Sequence, residues 1–218
     1  MRFLISTNKT FLFLILTLIL FSSCVKNDCI NLEKSDRYMR ETQSWRYDNT
    51  LGNRTFTDDF QSSQTLQLID SDSAYFENSV EDDCGIQYDG FMASTQFITS
   101  MSAFNFMITL NAGAFIPNEY DQYPTYTIDW LITPFNEPEH HKNITVDLVN
   151  KKVIDGYGTV DFLKNHPVNG YNYRDVIKVT FDWMFSDNDI KTLYYAKHFG
   201  IIEFVNGYQN HYRVVPNP

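Results

Sequence analysis

Three cysteines, five histidines and 27 acidic residues are the groups in this 218-residue chain that could do chemistry. His140 and His141 follow a polar stretch, Asn136-Glu137-Pro138-Glu139, that reads as a loop. Adjacent side chains on extended backbone point to opposite faces, so this pair is poorly set to hold one metal. His166, His198 and His211 complete the set. Cys29 and Cys84 have neither the Cys-x-x-Cys nor the paired-His spacing of a zinc site. Asp70-Ser71-Asp72 and Asp187-Asn188-Asp189 suggest calcium, but both lack the third acid, the glycine and the closing glutamate of an EF-hand loop. There is no Gly-x-Ser-x-Gly elbow, and no Ser-x-x-Lys beyond residue 26. Glycoside hydrolysis needs two carboxylates facing each other across a cleft. Glu119, Asp121, Asp129 and Glu139 are the acids that could supply them. The Glu-x-Asp-x-x-Glu spacing fails, because Pro124 stands where the second glutamate belongs. The sequence therefore predicts no metal, no cofactor and no assembled catalytic motif.

Cys24 carries a different chemistry. Arg2 and Lys9 precede an apolar run from Phe11 to Phe21, broken only by Thr17, and Ser22 and Ser23 then lead into the cysteine. The run is too short to span a bilayer, which takes about 20 apolar residues. Leu18-Ile19-Leu20-Phe21-Ser22-Ser23-Cys24 resembles a bacterial lipobox, with Phe21 where leucine is preferred. The resemblance implies cleavage before Cys24, a diacylglycerol on its sulfur and a further acyl chain on its amino group. Residues 1–23 are then a signal peptide, excluded from the fold. Two or more acyl chains hold a protein stably on a membrane, where one does so only marginally. Val25, in place of the aspartate that retains lipoproteins at the inner membrane of enteric bacteria, points to the outer membrane. Val25-Lys26-Asn27-Asp28 partly resembles the lysine-plus-acid export signal of surface lipoproteins in Bacteroidota. The expected location is the bacterial envelope, lipid-anchored in the outer membrane, facing the periplasm or the exterior.

That compartment permits a disulfide between Cys29 and Cys84. Closing a loop of about 55 residues would stabilise by about 4 kcal/mol in the chain-entropy model; the alternative is two independent thiols. Asp72-Ser73-Ala74 fits the short Asp-Ser/Thr-apolar signal for O-glycosylation of exported proteins in Bacteroidota, with Ser73 the acceptor.

Without residues 1–23 the chain keeps 195 residues and loses two of its 17 basic groups, leaving 15 against 27 acids, a net charge of −12. Such a balance argues against nucleic acid, which needs a basic footprint, and against broad contact with anionic headgroups. With 14 Tyr and 18 Phe the composition favours a β-rich core over an aromatic binding face.

Residues 24–43 read as a lipidated polar tether with no sustained helical stripe, and 44–218 as one β domain. Phe104, Phe106, Ile108 and Leu110 alternate with polar residues. So do Tyr126, Ile128, Trp130 and Ile132; Ile144, Val146 and Leu148; and Ile177, Val179, Phe181, Trp183 and Phe185. Period-two alternation predicts strands with one buried face. Thr65 to Ile69 and Ala74 to Phe76 read as two weak strands around an Asp70–Ser73 turn. Asn169-Gly170 and Asn206-Gly207 predict hairpins, and Asp155-Gly156 a further turn. The expected fold is all-β: an antiparallel meander forming a strongly curled sheet, a barrel or a sandwich, with little helix outside the signal peptide.

The C-terminal third adds a second resemblance. Tyr173-Arg174-Asp175-Val176-Ile177, then Tyr194-Tyr195-Ala196-Lys197-His198-Phe199-Gly200-Ile201-Ile202, resembles a pattern in small envelope lipoproteins of Bacteroidota, over about residues 155–215. His198 and Phe199 stand where small residues are commoner. The resemblance implies compartment and β-architecture, and no activity. Gly200 would allow a bulge or bend, and the Lys197 stem could cover apolar surface while its amine meets an acid. The expected role is non-enzymatic binding of a glycan, lipid or protein partner at the membrane; the alternative is a surface hydrolase acting on polysaccharide or peptide.

Overall fold

The computed structural model describes residues 32–81, 87–99, 104–114, 125–134, 141–184, 186 and 189–216. Cys24, Cys29, Cys84, His140, Glu119, Asp121 and Glu139 lie outside them. A helix, α1 (Leu32–Gln43), comes first, followed by a 3-10 turn at Asn49–Leu51. Twelve strands follow among the described residues: β1 (Arg54–Thr57), β2 (Ser63–Glu81), β3 (Gln87–Thr99), β4 (Phe104–Ala114), β5 (Thr125–Pro134) and β6 (Lys142–Asp147). The rest are β7 (Lys152–Gly156), β8 (Gly158–Val168), β9 (Tyr171–Phe181), β10 (Ile190–Ala196), β11 (Gly200–Asn206) and β12 (His211–Val214).

All twelve form one antiparallel sheet in the order β7-β6-β5-β4-β3-β2-β1-β12-β11-β10-β9-β8. Every neighbour in it is a sequence neighbour except at one seam, where β1 pairs with β12 through Phe56 and Val214. The two edges, β7 and β8, are joined by Tyr157 alone, so the sheet curls into a nearly closed barrel. The expected all-β meander is the fold, in its curled, barrel-like form.

The alternation read from the sequence places the core. Phe106, Ile108 and Leu110, the whole Tyr126–Ile132 series and Ile144, Val146 and Leu148 are buried. Tyr195 sits among them with its ring centroid 5.8 Å from Trp130 and 6.5 Å from Trp45, and its hydroxyl donates to the Trp45 carbonyl at 2.8 Å. The barrel is thus packed with side chains, as small barrels are.

Four local expectations need correction. Residues 32–43 are a helix, not part of a tether: Met39 and Thr42 are buried and α1 packs on β3, β4 and β5. A polar threonine occupies one of the few buried positions, which hid the helical period. No turn exists at Asp70–Ser73; β2 runs through it, paired with β3, with an irregularity between Leu68 and Asp70. Asp155 and Gly156 pair with Thr145 and Ile144, and the tight turn lies earlier, where the Asp147 carboxylate accepts from the amides of Val149 and Asn150. The long C-terminal strand ends at Phe181, leaving Trp183 exposed.

The Asn169-Gly170 hairpin forms as expected, with φ of 47° and 80°. Asn206-Gly207 opens a wider loop: the Gln209 amide donates to the Asn206 carbonyl, and Gln209 takes φ 65°. This is a three-residue connection with its left-handed position at the end.

Candidate functional site

The β8–β9 hairpin is longer than the strand beside it. β10 pairs with β9 only over Val176–Thr180. Asp175, at φ 51°, marks the point where β9 outruns β10, and its carbonyl accepts from the Lys197 amide. Residues before it form an arm that reaches β11 and β12. His166 stacks on Tyr194 at 4.2 Å, and Asn169 Nδ2 donates to the Val214 carbonyl at 2.8 Å. This cover leaves every residue of β11 buried.

Glu203 on β11 holds the arm. His166 Nε2 and His211 Nδ1 each lie 2.6 Å from one of its oxygens, and Arg213 Nε lies 3.3 Å away. An ionised carboxylate only accepts, so both imidazoles donate to it. Burial opposes its ionisation, but the His166 and His211 hydrogen bonds, with the nearby His166 and Arg213 charges, hold the carboxyl below the usual glutamate range. Two histidines and a glutamate suggest zinc, yet 2.6 Å is hydrogen-bond spacing. Ligands at about 2.0–2.1 Å on tetrahedral directions would stand well over 3 Å apart. Among the described residues no group of three metal-ligating side chains is placed to hold an ion.

A pH dependence follows. A depressed folded pKa stabilises above the unfolded value and ceases to as pH falls through the folded one. The Glu203 contribution is therefore complete above about 4.5 and lost on further acidification. Glu203→Gln should flatten the acid limb of thermal stability between pH 7 and 3; an unchanged limb would refute the assignment.

At the root of the arm lies an open cleft of about 860 Å³. Helix α1 contributes Arg37, Arg40 and Glu41, one helical face with i, i+3 and i+4 spacing. The arm contributes Tyr171, Asn172, Arg174 and Asp175, and the β10–β11 turn Lys197, His198 and Phe199. A second groove of about 430 Å³, with Arg46 and Asp48 on its wall, shares His198. Lys197 behaves as its stem and amine suggested: Nζ meets Glu41 Oε1 at 2.7 Å and lies 5.5 Å from the Trp45 ring centroid. His198 takes φ 65°, the conformation that favours the small residues commoner there. Two non-glycine residues with positive φ, Asp175 and His198, thus line one cleft.

Comparison with family models, with curated proteins and with solved structures finds no match to this chain.

The other sequence candidates are dispersed. Ser73 is exposed on β2 opposite Ala93, and its amide donates to Asp72 Oδ1. Asp70 and Asp72 are exposed on the same strand. Asp189 is not a calcium ligand in waiting: its Oδ2 lies 2.6 Å from Lys142 Nζ, inside the protein. Lys142 is held below the ordinary lysine range by burial, which the Asp189 hydrogen bond and charge only partly offset. Of the four hydrolase acids only Asp129 is described; Asn111 Nδ2 donates to it at 3.3 Å. Burial pushes its carboxyl up, the Thr145 hydrogen bond opposing and Asp155 adding. Neither groove is lined by Asp129. His141 is exposed beside β6.

Proposed function

We propose that this protein is a lipid-anchored lipoprotein of the bacterial envelope that binds a ligand or partner without transforming it, and that α1, the β9 arm and the β10–β11 turn form the binding surface. The lipobox-like run ending at Cys24 supports the anchor. One observation carries the binding role: Arg37, Arg40 and Arg174 all line the cleft, and none has an ion-pair or hydrogen-bond partner among the described residues. Elsewhere Arg54 and Arg213 are engaged, by the Phe199 carbonyl and by Asp59 with Glu203. Donors gathered in a concavity without partners of their own are what a recognition site supplies to a ligand. The barrel interior is occupied by its own side chains, so the ligand sits at the rim.

The test is intact-mass analysis of protein extracted from native membranes, with gentle elution of whatever is bound. The expected mass begins at Cys24 and carries acyl chains, with a ligand co-eluting. An unacylated mass starting elsewhere removes the anchor. Acylated protein with nothing bound at any step removes the carrier role.

A further inference from the structure

We propose that the rim cleft takes an acidic oligosaccharide, its carboxylate or sulfate groups held by Arg37, Arg40 and Arg174 and one sugar ring stacked on Tyr171. This rests on the binding role proposed above and names its ligand.

The charge argument comes first. The whole chain has 27 acids against 17 bases, yet the cleft gathers four cations around two carboxylates. Glu41 is already paired with Lys197. Among the described residues of the cleft that leaves three guanidinium groups to one carboxylate, Asp175, an excess of positive charge in an acidic protein. A guanidinium presents a planar fork that matches the two oxygens of a carboxylate or sulfate, and it is always charged. The forks come from two separate elements, α1 and the β9 arm, so they span a surface instead of converging on one small ion.

The aromatic argument is independent of charge. Tyr171 is 46% exposed, although its ring is held edge-on to Tyr173 at 4.6 Å and lies 6.0 Å from Phe199. An aromatic fixed by neighbours with one side open to solvent is a platform. The electron-rich face of its ring attracts the weakly positive C–H groups along one face of a sugar. Single-stranded nucleic acid is also a polyanion that stacks, and the net charge of this chain opposes both polyanions alike, so a deoxynucleotide stands among the probes.

The test is calorimetric titration of the detergent-solubilised full chain with four probes: a galacturonate hexamer, an uncharged galactose hexamer, inorganic sulfate and a single-stranded deoxynucleotide twelvemer. The expected result is binding of the acidic hexamer that weakens as salt rises. Arg174→Gln and the pair Arg37→Gln with Arg40→Gln should each lower its affinity at least tenfold. Tyr171→Ala should lower it at least fivefold while leaving sulfate affinity unchanged, a split that misfolding would not give. Lys152→Gln, away from the cleft, should leave all affinities as they are. Equal binding of the uncharged hexamer, tighter binding of the deoxynucleotide, or insensitivity to Tyr171→Ala would each overturn the assignment of an acidic saccharide. Failure of all four probes would do so too; if a ligand still co-elutes from native membranes, the binding role survives that failure and only its chemistry is wrong.

Discussion

Lys142→Met is expected to destabilise the protein by about 3–5 kcal/mol, the cost of breaking a buried ion pair from one side. Lys142 and Asp189 side chains are 1% and 3% exposed, and Nζ lies 2.6 Å from the carboxylate and 2.8 Å from the Ile190 carbonyl. The amine also lies over Phe181 and Trp183, at 5.3 and 5.8 Å from their ring centroids. Methionine fills the volume of the lysine stem, so the loss comes from a carboxylate left buried without its cation and not from a cavity. Adding Asp189→Asn should recover much of the loss, since removing both charges is far cheaper than removing one. The amide oxygen can still accept from the Ile190 amide, as Asp189 Oδ1 does at 2.7 Å. Urea unfolding followed by tryptophan fluorescence measures both. A cost under about 1 kcal/mol for Lys142→Met, or a double variant worse than the single, would show that the pair is not the internal anchor described.

Gly156→Ala carries the second large effect, at about 3 kcal/mol or more. Gly156 stands at φ 91°, and a Cβ there would lie 2.2 Å from the Asn143 carbonyl oxygen and 2.8 Å from Ile144 Cα. Both obstacles are backbone of β6, so no rotamer change relieves them. The residue sits at the corner where β7 leaves β6 and the chain passes through Tyr157 into β8, so a shift there moves both edges of the sheet. Gly170→Ala is the control: its φ is 80° but nothing lies within 4 Å of its would-be Cβ. That variant should lose only the conformational term, about 1 kcal/mol. Melting temperatures of the two variants separate strain from collision. Equal losses would mean that the β6 backbone yields and that the corner is not tight.

The inner faces of β4, β5 and β6 were legible because one buried face imposes a period of two on the residues. Lys142 was legible in principle: it falls on the Ile144, Val146, Leu148 face, where a lysine requires a partner, though the sequence does not say that the partner is Asp189. Glu203 opposite Arg213 could have been found by setting the β11–β12 register. His166 could not, because it lies on β8, three strands from β11 in the sheet order, and reaches Glu203 only where the arm outruns β10. The cleft was hidden for a related reason. Its arginines sit in a polar helix and beside an irregular strand, segments where burial writes no pattern, and only the tertiary fold brings residues 37–44, 171–175 and 197–199 together.

The seam between β1 and β12 sets an order of events. All other pairings join strands adjacent in the chain and can form as soon as both are made. The Phe56–Val214 pairing needs the first and last strands of the chain to meet, and the entropy of closing so long a loop falls on that single step. A chain emerging from its N-terminus can assemble β1–β7 and then β8–β11 early, yet they stay two separate sheets until β12 arrives to join them. A chain cut before His211 would keep that state permanently, with β1 and β11 each presenting a bare edge of the kind that recruits other chains.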